Sequence, residues 1–72
     1  MTIAGVIKNL RLTLGMEQRE FGKLFEVTKG TVCSWEHGRR TPRLPKLKKM
    51  IDVAKEHKVK LSMRDFLEEG IL

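Results

Sequence analysis

Residues 17–42 read EQREFGKLFEVTKGTVCSWEHGRRTP. Phe21, Leu24 and Phe25 fall on one face of a helix that starts near Gln18, and Val32 and Trp35 share a face a few residues later. The first of these helices is weakly capped at its start, whereas Thr28 can cap the second. Gly22 lets a neighbouring helix approach closely, and Gly38 ends the second helix. Only a few residues separate the two, and Arg39, Arg40 and Arg43 follow directly. The stretch is therefore two short amphipathic helices joined by a tight turn, with positive charge where the chain leaves them.

Working outward, the same spacing rule finds three more helices and no strand pattern. Ile3, Ile7, Leu10 and Leu14 recur at intervals of four, three and four, with Thr2 as a cap and Gly15 as a left-handed stop. After the loop punctuated by Pro42, Pro45 suits the first position of a fourth helix over about 45–57, whose face is Leu47, Met50, Ile51 and Ala54. Ser62 and Asp65 form a capping-box-like start for a fifth, about 63–69, with Phe66 and Leu67 apolar. The fold class is all-α, one domain over 1–72, with no linker, repeat or low-complexity segment.

Composition excludes several classes. Of the 72 residues 40% are apolar, without a run approaching the 18 or so that a membrane span needs. The N-terminus lacks a continuous apolar stretch and a cleavage site and belongs to the fold. One cysteine forms no internal disulfide, and with two histidines it is too little for a structural zinc site, so neither metal nor cofactor is expected and a cytoplasmic setting is. The net charge of +6 is uneven: +1 over residues 1–38, +8 over 39–64 and −3 over 65–72. Basic charge thus concentrates just after the second motif helix, where phosphates would lie if the partner were nucleic acid. A solvated basic face is the competing interpretation.

The layout over residues 17–38 is that of a helix-turn-helix, whose second helix enters the major groove of DNA by its N-terminal end. Its outward positions are Lys29, Gly30, Thr31, Cys33 and Ser34. Of these, base contact is assigned to four. Lys29 can donate to guanine O6 and N7, Thr31 and Ser34 can bond a base edge or touch a thymine methyl, and Gly30 permits close approach. The alternative for each is an ordinary solvated side chain. Phosphate contact is assigned to Gln18 at the start of the first motif helix, to His37, and to Arg39, Arg40 and Arg43. Trp35 belongs to the core. Cys33 and His37 lie four apart on one helix, but no third orienting group or oxyanion donor accompanies them, so no catalysis is expected.

Together Gln18, Phe21, Gly22, Val27, Val32, Glu36, Gly38 and Pro42 make the chain from Leu10 to Leu44 resemble the phage repressor and Cro type of helix-turn-helix protein, also called the xenobiotic-response-element type. The resemblance implies a compact five-helix, lambda-repressor-like domain with the motif formed by helices two and three. It implies a buried ion pair between Arg11 and Glu36, base reading at Lys29, Gly30 and Ser34, and backbone contact at Gln18. Two positions depart from the family pattern: Glu17 replaces the usual Ser, Thr or Asn, and Glu26 stands where the turn often has Gly. In length the chain is most similar to small Cro or modulator-of-repression proteins of temperate phages.

The expected function is a sequence-specific transcriptional regulator that occupies an operator on double-stranded DNA as a homodimer, as in a lysis-lysogeny switch. Phe66, Leu67, Ile71 and Leu72 are the expected interaction surface, for a second copy or a cognate phage repressor. Two alternatives use the same fold: a modulator that works mainly by gripping a partner repressor, for which Glu17 and the tail EEGIL speak, and the antitoxin of a toxin–antitoxin pair.

Overall fold

A computed structural model describes residues 2–67, with the side chain of Leu67 outside the description. Its helices are α1 (Ile3–Thr13), α2 (Gln18–Leu24), α3 (Lys29–Glu36), α4 (Leu44–Glu56) and α5 (Met63–Leu67). Among the described residues there is no strand.

Local chemistry sets most of the boundaries. Thr2 keeps an extended backbone and its Oγ1 accepts the Gly5 N–H at 2.9 Å, which satisfies one of the donors a helix start leaves open. Gly15, at φ +70°, turns the chain out of α1. At α2 the expected weak start is corrected: the Glu20 carboxylate accepts the Glu17 N–H at 3.0 Å, so an acid at the third helical position caps backward. The Thr28 hydroxyl accepts the Thr31 N–H at 3.2 Å to open α3, and Gly38, at φ +74°, follows its end.

The turn between α2 and α3 is tight because Gly22 is bare. A Cβ there would lie 2.7 Å from the Val27 carbonyl oxygen and 3.3 Å from a Val32 methyl. The Gly22 carbonyl in turn accepts the Val27 N–H at 3.0 Å. Glu26 takes φ 57°, a left-handed conformation that costs a residue with a Cβ roughly 1–2 kcal/mol. From α4, Lys46 Nζ donates to the Phe25 carbonyl at 2.5 Å and ties the far side of the turn down. Gly22→Ala should cost about 1–3 kcal/mol, because the clashing atom is backbone and cannot swing aside. Urea denaturation checks this, and a cost below about 0.5 kcal/mol would show that the two helices can part freely.

Phe25 is the centre of the packing. Its ring meets Phe21 edge-on at 4.8 Å and Trp35 at 6.4 Å, which adds about 0.5–1.5 kcal/mol per pair beyond the area buried. Ile7, Val32, Met50, Ala54 and Phe66 complete a core in which all five are fully buried. Two expectations change here. α4 starts one residue early, at Leu44, so Pro45 holds its second position, and the buried stripe is Leu47, Met50, Val53 and Ala54 with Ile51 only half-buried. The cause is α5, which packs against α4 and against α1 and so decides which face is covered.

The second change concerns α5 itself. Ser62 donates its N–H to Asp65 Oδ2 at 2.8 Å and its hydroxyl to the same oxygen at 3.3 Å, a locally capped start. Phe66 then enters the core with no exposure, so it is no part of an interaction surface. The side chain of Leu67, and Ile71 and Leu72, lie outside the described residues.

Candidate nucleic-acid interface

Three elements meet at one carboxylate. Arg11, in the last turn of α1, donates from Nε to Glu36 Oε2 at 2.6 Å and from its terminal nitrogen to Oε1 at 3.1 Å, a two-pronged pair. Gln18 Nε2 donates to the same Oε1 at 3.1 Å, and Arg11 also holds the Met16 carbonyl at 3.0 Å. The side chains of Arg11 and Glu36 are only 12% and 3% exposed. Burial pushes the Glu36 carboxyl up, but hydrogen bonds from Arg11 and Gln18, with the charges of Arg11 and Lys8, outweigh it and hold it below the ordinary carboxylate range. The bond to Glu36 raises the Arg11 guanidinium in turn. The start of α2 is thereby fixed to the end of α3, and the amide of Gln18 is oriented by the fold itself.

The outward face of α3 follows from its period. With 3.6 residues per turn, Gly30, Cys33, Ser34 and His37 fall within a sector of about 100°, and Val32, Trp35 and Glu36 point the other way. Lys29 sits roughly 40° beyond one edge of that sector and Thr31 roughly 60° beyond the other. Lys29 and Gly30 are exposed, while Thr31, Cys33 and Ser34 are half-buried. Gly30 faces open space, since a Cβ there would meet nothing nearer than the Thr28 hydroxyl at 3.7 Å. The Thr31 hydroxyl lies 3.2 Å from that of Thr28, which ties it to the start of its own helix.

His37 lies at the end of the outward line. Its Nδ1 is 2.8 Å from the Cys33 carbonyl and 3.4 Å from the Cys33 thiol. A carbonyl can only accept, so Nδ1 carries the proton, and in the neutral ring Nε2 is left as an acceptor. Contact with a phosphate oxygen by Nε2 therefore requires the imidazolium form.

Two grooves flank this face. On the α2 side, Arg11, Glu17, Gln18, Arg19 and Lys29 line a groove of about 390 Å³. On the α4 side, Thr31, Trp35, Arg40, Arg43 and Lys46 contribute to a wider one of about 620 Å³, floored by the buried Pro42. Arg39 is exposed and lines neither, its N–H held by the Ser34 carbonyl at 2.9 Å. The structure thus gathers Gln18 with Lys29 and, separately, Thr31 with Arg40 and Arg43. Two residues that the sequence did not single out also stand here, Arg19 in one groove and Lys46 in the other, while Cys33 keeps its outward place without a base contact assigned to it and Glu17 lies beside Arg19. The available signal for Arg19 was an exposed cation beside Gln18 at the start of a motif helix.

Among the described residues no cluster of three or more His, Cys, Asp or Glu could hold a metal ion, and no helix is long and apolar enough to cross a membrane. The arrangement presents a short polar helix face between two cationic clefts, a shape suited to a grooved polyanion. A helix-turn-helix family model matches residues 7–57. No curated protein and no solved structure matches the chain.

Proposed function

The chain belongs to the Cro and repressor type of helix-turn-helix family, a family of DNA-binding transcriptional regulators, and on that premise we propose that it is a sequence-specific operator-binding repressor of the phage Cro kind. The observation that carries this reading is the pair of cationic grooves on either side of the outward face of α3. A major groove about 12 Å wide takes a helix of about that diameter with a phosphate backbone on each side. Gly30 and Ser34 would lie against base edges, Lys29 and Thr31 at the margins of the same face, and Gln18, Arg40 and Arg43 against phosphates. Arg39 and a charged His37 would reach the backbone beyond them.

The same reading calls for a dimer. An eight-residue α3 is roughly 12 Å long and spans only a few base pairs, too few to specify a site in a genome. Two copies would place their recognition helices roughly 34 Å apart, one turn of the duplex. Repression then follows from occupancy, by exclusion of polymerase or of a competing repressor, in the cytoplasm of a bacterial host.

In vitro selection from a random duplex library, followed by binding isotherms at several salt concentrations, tests the proposal. Lys29→Ala should cost about 1–3 kcal/mol on the selected operator and relax discrimination at one base pair. Arg40→Ala should weaken selected and scrambled DNA alike and lower the salt slope by about one. Equal loss on both duplexes for Lys29→Ala would make Lys29 a phosphate contact only. If neither replacement changes binding, the basic cluster is a solvated face and capture of a partner repressor becomes the leading interpretation.

A further inference from the structure

The two grooves beside α3 differ in charge. The one on the α4 side carries Arg40, Arg43 and Lys46 with no acid on its wall. In the one on the α2 side, Arg11 is committed to Glu36 and to the Met16 carbonyl, which leaves Arg19 and Lys29 as its exposed cations and Glu17 as an exposed carboxylate beside them. These walls belong to opposite flanks of the helix: Thr31 and Trp35 lie about 200° and 240° around α3 from Lys29.

We propose that Arg19 is a phosphate-contacting residue on the α2 side of the recognition helix, and that Glu17, in the same groove, holds the affinity of that contact down. The proposal rests on the DNA-docking reading given above. A helix seated in the major groove has a backbone on each flank, and a protein that grips only the α4 side would leave the other backbone facing uncompensated. Arg19 is the side chain placed to meet it, because Arg11 is spent on the fold and Gln18 already gives one amide proton to Glu36. A guanidinium also suits a phosphate better than an ammonium does, since it can donate two parallel hydrogen bonds. Glu17 sits where a phosphate oxygen would approach, and like charges there repel.

The test uses the whole chain and a duplex of arbitrary sequence, titrated at several salt concentrations. Arg19→Ala should weaken binding about five-fold and lower the salt slope by about one, and Glu17→Gln should tighten binding about five-fold. Arg19 is exposed, so Arg19→Ala should keep the parent melting temperature, which excludes unfolding as the cause. The Glu17 carboxylate also accepts the Glu20 N–H at the start of α2, so Glu17→Gln is titrated well below its own melting temperature. The Arg19→Ala/Arg40→Ala double variant should lose the product of the two single effects, as separate contacts do. Parent affinity and slope in Arg19→Ala, with the Arg40→Ala effect intact, would overturn this assignment alone. Unchanged or weaker binding by Glu17→Gln would overturn the part given to Glu17. Absence of any salt-dependent binding by the parent chain would overturn both the assignment and the DNA-docking reading.

Discussion

Arg11→Met should lose about 3–5 kcal/mol of folding stability, because it leaves the Glu36 carboxylate, only 3% exposed, without its cation. The total for 72 residues is roughly 4–11 kcal/mol, so a large part of the folded population goes with it. A thermal melt should fall by more than about 12 °C, given about 4–8 °C per kcal/mol at this size. A drop of only a degree or two would mean that water reaches the pair freely. Acid adds a second measurement. The folded-state value of Glu36 lies below its ordinary value near 4.5, so the pair contributes in full above that value and is lost as pH falls through the depressed one. Glu36→Gln should therefore flatten the acid limb of the stability curve between those two values while lowering stability at neutral pH.

Phe66→Ala should cost about 3–5 kcal/mol, since the ring is fully buried and its removal opens a cavity between α1, α4 and the rest of the core. The same replacement discriminates between two roles for α5. If Phe66 belonged to a docking surface, the variant would keep its midpoint in urea and lose only association with a partner. The buried position requires a midpoint shift at a protein concentration where the chain is monomeric. An unchanged midpoint there would place Phe66 outside the core.

What could be read from the residues divides along the distance of the interactions involved. Thr2, Gly15, Thr28 and Gly38 act within a turn of themselves, and short-range chemistry is what a sequence displays directly. The helical faces of α1 and α3 were legible for the same reason, through Ile7, Leu10, Val32 and Trp35. The buried stripe of α4 was legible only in part, because spacing alone ranks Ile51 with Leu47 and Met50, and it takes the position of α5 to bring Val53 in instead. Phe66 was opaque on the same ground: a short apolar helix looks unpartnered until its crossing over α1 and α4 is known.

The candidate site has its own version of that division. That Arg11 should meet Glu36 came from the family resemblance, and no spacing within the chain implied it. The bond from Gln18 to the same carboxylate, and that from Lys46 to the Phe25 carbonyl, join residues 18 and 21 positions apart and carried no local signal. Glu17 with Glu20 was missed because the reciprocal cap usually begins with Ser or Thr, although the acid at the third position does the reaching back here.

The shared carboxylate also has a genetic consequence. Arg11 and Glu36 keep the amide of Gln18 aimed and the first motif helix seated on the second, without lining the outward face of α3. A screen for mutants that fail to occupy an operator would return changes at Arg11 and Glu36 beside changes at Lys29, and the map of phenotypes would draw the binding surface larger than it is. Abundance separates the groups: alleles at Arg11 and Glu36 would deplete the protein in the cell through turnover of unfolded chains. Alleles at Lys29 would leave its level intact, and overproduction would restore operator occupancy to the first group ahead of the second.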